Sequence, residues 1–68
     1  MLNVFGKMTC VIMNFYMFYG QEEMVDNSAI AELSNMCQVS PQISLRILLS
    51  NGVLEPVRNG VYRVVKKS

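Results

Sequence analysis

The chain has 68 residues, 51% of them apolar and 16% charged, with a formal net charge of +1. That is enough for one small domain, too apolar for intrinsic disorder and too short to bury much more than about 60% of its unfolded surface. Histidine is absent, which removes the commonest general base and the commonest metal ligand, so no enzyme, metal or cofactor is expected.

Lys7 followed by the apolar run from Met8 to Tyr19 has the outline of a secretory leader. The run is too short to cross a bilayer, which takes about 20 residues. Phe18, Tyr19 and Gly20 also make no small-residue cleavage site, so no membrane partner is expected. The run reads instead as a helix over about 8–19. Met8, Val11, Ile12, Phe15, Phe18 and Tyr19 recur on one helical face, and Gly20 stands where a C′ residue would end it. Its other face carries Cys10, Met13, Tyr16 and Met17 and is apolar as well. A helix apolar all round is buried on more than one side. These four residues are therefore the expected interface of a homodimer, the alternative being a monomer core filled by adaptable methionines. Cys10 and Cys37 are expected to be reduced, partly buried thiols in a cytoplasmic protein rather than a disulfide.

Met24-Val25 reads as a very short strand. Asp26, Asn27 and Ser28 are N-cap residues, and Ala29, Ile30, Leu33 and Met36 form the apolar stripe of a helix over about 28–37. Ser40 caps a further helix over about 41–51, with Pro41 in the first turn and Asn51-Gly52 at its end. On a helical wheel Pro41, Leu45, Leu48 and Leu49 point inward, with Ser44 at the margin. Two alternating runs, 53–58 and 61–66, flank Asn59-Gly60, a hairpin signal of the type I′ kind. Pro56 marks the first of these strands as an edge.

Charge is distributed unevenly. Residues 1–39 hold Lys7 against Glu22, Glu23, Asp26 and Glu32, whereas residues 40–68 hold Arg46, Arg58, Arg63, Lys66 and Lys67 against Glu55. Anions should approach the C-terminal part, although scattered cations also serve solubility alone.

This order of elements, with Ser28-Ala-Ile-Ala-Glu-Leu-Ser-Asn-Met-Cys-Gln-Val-Ser40, Leu48-Leu-Ser-Asn-Gly-Val-Leu54 and Arg58-Asn-Gly-Val-Tyr-Arg63, resembles the winged helix-turn-helix superfamily of DNA-binding domains, as in small bacterial, phage or plasmid regulators. The resemblance implies one α+β domain over 1–68: three helices, the third a recognition helix, and a C-terminal β-hairpin wing over about 53–66. The third helix is about a turn shorter than in many bacterial repressors. Within this frame Gln42 and Arg46 are i,i+4 neighbours able to reach adenine and guanine edges, and Ile43 faces a thymine methyl. Ser40 and the first-turn amides would hold a phosphate. Arg58, Asn59, Arg63, Lys66 and Lys67 would meet the sugar-phosphate backbone.

The expected function is sequence-specific binding of double-stranded DNA by a dimeric transcriptional regulator. The alternative is a winged-helix module that binds a protein partner through Ile43 and Ile47, two branched apolar residues on the supposed reading face.

Overall fold

The computed structural model describes residues 4–66, so Lys67, expected at the interface, lies outside the described residues. The architecture is α+β: α1 (Val4–Tyr19), β1 (Met24–Asp26), α2 (Asn27–Cys37), α3 (Pro41–Ser50), β2 (Leu54–Arg58) and β3 (Val61–Val64). The three strands form one antiparallel sheet in the order β1-β3-β2. Both β1 and β2 are edges, and Pro56 sits on β2, where a missing N–H costs no ladder bond on the open side.

Side chains alternate across this sheet. Val25, Tyr62, Leu54 and Val64 face the helices, while Met24, Arg63 and Glu55 face away. The core joins Val11 and Phe15 of α1, Ile30, Leu33 and Cys37 of α2, Leu48 of α3, and Val25, Val53, Leu54 and Val64 of the sheet region.

α1 is longer than the run that announced it, and its buried side is narrower. Val11 and Phe15 are fully buried, whereas Phe18 is 55% exposed at the last turn. Phe18 lines an open cleft of about 480 Å³ with Met24 and Val61 instead of entering the core. Gly20 is not left-handed as the C′ reading required; only Gly52 and Gly60 among the described glycines have positive φ. The helix closes through Gly20 N–H to Tyr16 O (3.1 Å) and Glu22 N–H to Tyr19 O (3.0 Å), and a Cβ at position 20 would strike the Tyr16 carbonyl. The Lys66 ammonium then donates to the carbonyls of Gly20 (2.9 Å) and Glu22 (2.8 Å), a cation at the negative end of a helix.

The two cysteines are not reduced thiols: Cys10 and Cys37 form a disulfide with their Cα atoms 5.8 Å apart. The side of α1 that carries Cys10 turns toward the last turn of α2, within the span a disulfide bridges. Spacing along the chain could not reveal this, because the approach is made by helix packing. Cys10 is thereby turned toward the molecule's own α2 and does not belong to an outward dimer face.

α2 opens with the Asp26 carboxylate accepting from the N–H groups of Ser28 (3.0 Å) and Ala29 (3.3 Å). Its inner face is rotated from the expected one. Met36 is exposed, and Ser34 and Cys37 are buried in its place. Ser34 faces Ser44 of α3 with their hydroxyls 2.8 Å apart, and Ser34 also donates to the Ile30 carbonyl (2.7 Å). Two small, mutually bonded hydroxyls let the helices approach closely where larger side chains would hold them apart. Ser44 is thus fully buried rather than marginal; Pro41 is exposed, and Leu45 and Leu49 are only half-buried. From the middle of α2, the Glu32 carboxylate accepts from the Tyr19 hydroxyl (2.8 Å). Burial first, then that bond and the charges of Glu32 and Asp26, raise the phenol above its ordinary pKa.

The hairpin also departs from the type I′ reading. Gly60 has φ +81, but Asn59 has no positive φ, so only one of the two left-handed residues that turn needs is present. The strands compensate with a bulge at Val57: Arg58 opposes Val61, yet Pro56 opposes Tyr62.

Candidate nucleic-acid interface

A three-residue connection, Gln38 to Ser40, turns the chain from α2 into α3. Gln38 is left-handed (φ +56), and Val39 N–H bonds back to the Ser34 carbonyl (3.1 Å). Ser40 then caps α3, its hydroxyl accepting from Ile43 N–H (3.3 Å). The start of α3 is therefore held by its own cap and by the buried Ser34–Ser44 contact one turn further in.

From this base α3 presents Gln42, Ile43 and Arg46 to solvent, as helical spacing predicts, and Ser50 with them. Ile43 is 47% exposed. Ile47 is half-buried and packed against the core, so it does not pair with Ile43 as an outward patch. Leu45 and Leu49, with Gln42, Arg46 and Ser50, line a shallow cleft of about 500 Å³ on the same helix.

The hairpin cations divide into two kinds. Arg63 lies on the face of the sheet away from the helices and pairs with Glu55 through Nε (3.1 Å) and a shorter contact from its terminal nitrogen. Without the bulge the Arg58–Val61 pairing would have set Arg63 opposite Pro56; the bulge shifts the register and sets it opposite Glu55. Lys66 is committed to the end of α1. Arg46 and Arg58 make no ion pair among the described residues. Arg58 stands at the foot of the hairpin turn, beside Asp26 and Val61.

The tip is not a projecting loop. Gly60 lies against Asn27, which a Cβ there would approach to 3.3 Å, and the Tyr62 hydroxyl donates to the Asn27 side chain (3.3 Å). Asn59 is exposed at the turn.

The expected residues thus fall into two groups rather than one patch. Ser40, Gln42, Ile43 and Arg46 share the outer side of α3. Arg58 and Asn59 sit at the hairpin turn near the start of α2. Sequence reading missed Glu55 as the partner that neutralises Arg63, because the bulge at Val57, which sets that pairing, carries no signal in the sequence.

Among the described residues no group of cysteines and carboxylates is placed to hold a metal ion. None of the described helices is long and apolar enough to cross a membrane. Comparison with protein-family models, curated proteins and solved structures finds no match to this chain.

Proposed function

We propose that this chain is a winged-helix regulator that binds double-stranded DNA as a pair of copies, with α3 in the major groove and the β2–β3 hairpin as its wing. The observation that carries this reading is a capped helix, α3, reached through a three-residue turn from α2, with Gln42, Ile43 and Arg46 all turned to solvent. Gln42 and Arg46 would read base edges, Ile43 a thymine methyl, and Ser40 with the first-turn amides a phosphate. Arg58 and Asn59 would lie on the sugar-phosphate backbone. Arg63 joins them only if it leaves Glu55, and Lys66 is set aside because it caps α1. A single copy then neutralises few phosphates, which is why specific binding calls for two.

The target of such a regulator is in the cytoplasm, where disulfides are rare. The Cys10–Cys37 bond is the feature that disagrees with this location, and the mass of the protein after alkylation in intact cells reads the thiol state directly.

The test is fluorescence anisotropy of a random-sequence duplex at several salt concentrations. With two free arginines per copy the log–log slope should be near about −2 for one copy and about −4 for a pair. Arg46→Ala with Arg58→Ala should abolish binding. Glu55→Gln, by releasing Arg63, should steepen the slope by up to about 1 per copy. No binding even at low salt sinks the proposal.

A second reading is favoured by the exposed Ile43 and the apolar cleft lined by Leu45 and Leu49. Under it α3 docks a protein and not DNA. The arginine pair is then nearly neutral, and Ile43→Glu is the damaging change.

A further inference from the structure

We infer that the outer side of α1 is the surface on which a second copy of this chain docks, antiparallel about a two-fold axis, with Met13 set against Tyr16 of the partner subunit. The outer side of the helix runs Gly6, Thr9, Met13, Tyr16, Met17, Gly20, at the three-and-four spacing of a single stripe. Met13 is 59% and Met17 69% exposed, with Tyr16 at 37% between them. Three large apolar groups stand together in the middle of the stripe, and small residues occupy both ends.

The charges around the stripe choose the occupant. From Met8 to Tyr19 there is no charged residue, while Lys7 flanks one end and Glu22-Glu23 the other, which stays net acidic with the Lys66 ammonium counted in. Two copies laid antiparallel bring each Lys7 end over the partner's acidic end, twice over; laid parallel they would bring like over like. Antiparallel helices also oppose their dipoles favourably. The two criteria agree on one register. Aligning Lys7 with Glu22 of the partner subunit centres the overlap between Asn14 and Phe15, and Met13 and Tyr16 bracket that same point. Thr9 then meets Gly20 of the partner subunit, where a missing side chain allows close approach.

Other occupants fit less well. An anionic lipid surface or a nucleic acid would meet cations only at the two ends, Lys7 and Lys66, and beside Lys66 it would face the more numerous Glu22, Glu23 and Asp26. The disulfide, with the Asn14 amide donating toward Cys37 Sγ (3.9 Å), holds the adjoining side of α1 against α2, so the stripe is carried on a fixed helix. The proposal deepens the paired-regulator reading by naming the partner surface, and it rests on that reading only for what the pair does.

The experiment is sedimentation velocity of the full chain, without DNA, over a wide concentration range. The wild type should dimerise reversibly. Met17→Glu should weaken the dimer at least ten-fold while circular dichroism keeps its helix content, since position 17 is outside the core. Lys7→Glu should weaken it several-fold, and adding Glu22→Lys and Glu23→Lys to that variant should recover the loss. A wild type that stays monomeric overturns the inference, as does a dimer indifferent to Met17→Glu. A Lys7→Glu loss that the reciprocal changes do not recover overturns the register. Co-sedimentation with anionic phosphatidylserine vesicles, lost in Met17→Glu, would assign the stripe to membrane and overturn it too. Failure to bind DNA leaves every one of these outcomes unchanged, so the two readings fail separately.

Discussion

The ends of α2 and α3 have the same backbone shape built on different residues. At the end of α3, Gly52 is left-handed (φ +73), its N–H bonds the Leu49 carbonyl (3.1 Å), and Val53 N–H reaches back to Leu48 (2.9 Å). At the end of α2, Gln38 is left-handed (φ +56), its N–H bonds Asn35 (3.3 Å), and Val39 N–H reaches back to Ser34 (3.1 Å). Both follow the Schellman pattern. Glycine adopts this conformation without penalty, whereas a residue with a Cβ loses about 1–2 kcal/mol. The α3 closure is therefore favoured locally. The α2 closure is imposed, and what imposes it lies in the last turn of α2: Cys37 is tied to Cys10, and Ser34 is bonded to Ser44 across the connection. That imposed turn is the one that aims α3.

The largest way to break this comparison is to remove the tie. Reducing the Cys10–Cys37 bond, or replacing both residues by alanine, should cost about 3 kcal/mol for a closed loop of this length. The denaturant midpoint should fall accordingly, and hydrogen exchange at Gln38 and Val39 should accelerate more than at Gly52 and Val53. An unchanged midpoint under reducing conditions would mean that the serine contact alone holds the turn. Equal acceleration at both helix ends would mean that the disulfide has no local part in it.

The same contrast explains what could be read along the chain. Elements announced by local chemistry appeared within a few residues of where the sequence placed them: Ser40 and Pro41 opening α3, Asn51-Gly52 closing it, Asp26 beginning α2, Pro56 on an edge strand. What depended on packing was misjudged, and so were two local readings, Gly20 as a left-handed helix end and Asn59-Gly60 as a type I′ turn. The inner faces of α2 and α3 turn on Ser34 and Ser44, and a buried pair of serines carries no hydrophobic signal. The disulfide joins helices that only the fold brings together. The placement of the candidate residues was legible to the same extent. Gln42, Ile43 and Arg46 project as helical spacing required, because α3 is regular. Arg63 and Lys66 do not remain free, because their partners, Glu55 and the end of α1, are set by strand register and by a helix terminus far away in sequence.

A smaller effect tests the locally favoured end. Gly52→Ala places a Cβ in open space, with nothing within 4 Å, so its cost is purely that of the backbone. The loss should be about 1 kcal/mol, read as a shift in thermal midpoint with no change in helix content before the transition. A much larger loss would mean that the Cβ disturbs β2, which begins two residues later, and that the position matters for packing as well as conformation.

The smallest effect runs in the opposite direction and sharpens the comparison most. Gln38→Gly removes the left-handed penalty at the end of α2, but it also frees the unfolded chain, which offsets part of the gain. The net should be a stabilisation of up to about 1 kcal/mol. The Gln38 side chain is exposed, so no packing is lost with it. If the variant is instead less stable, the amide makes a contribution that its exposure does not suggest, and the claim that this turn is held by its flanks fails. If it is more stable while DNA affinity falls, the strain at Gln38 is part of how α3 is aimed. In that outcome the turn works best when its conformation is imposed by Cys37 and Ser34 and not relaxed by glycine.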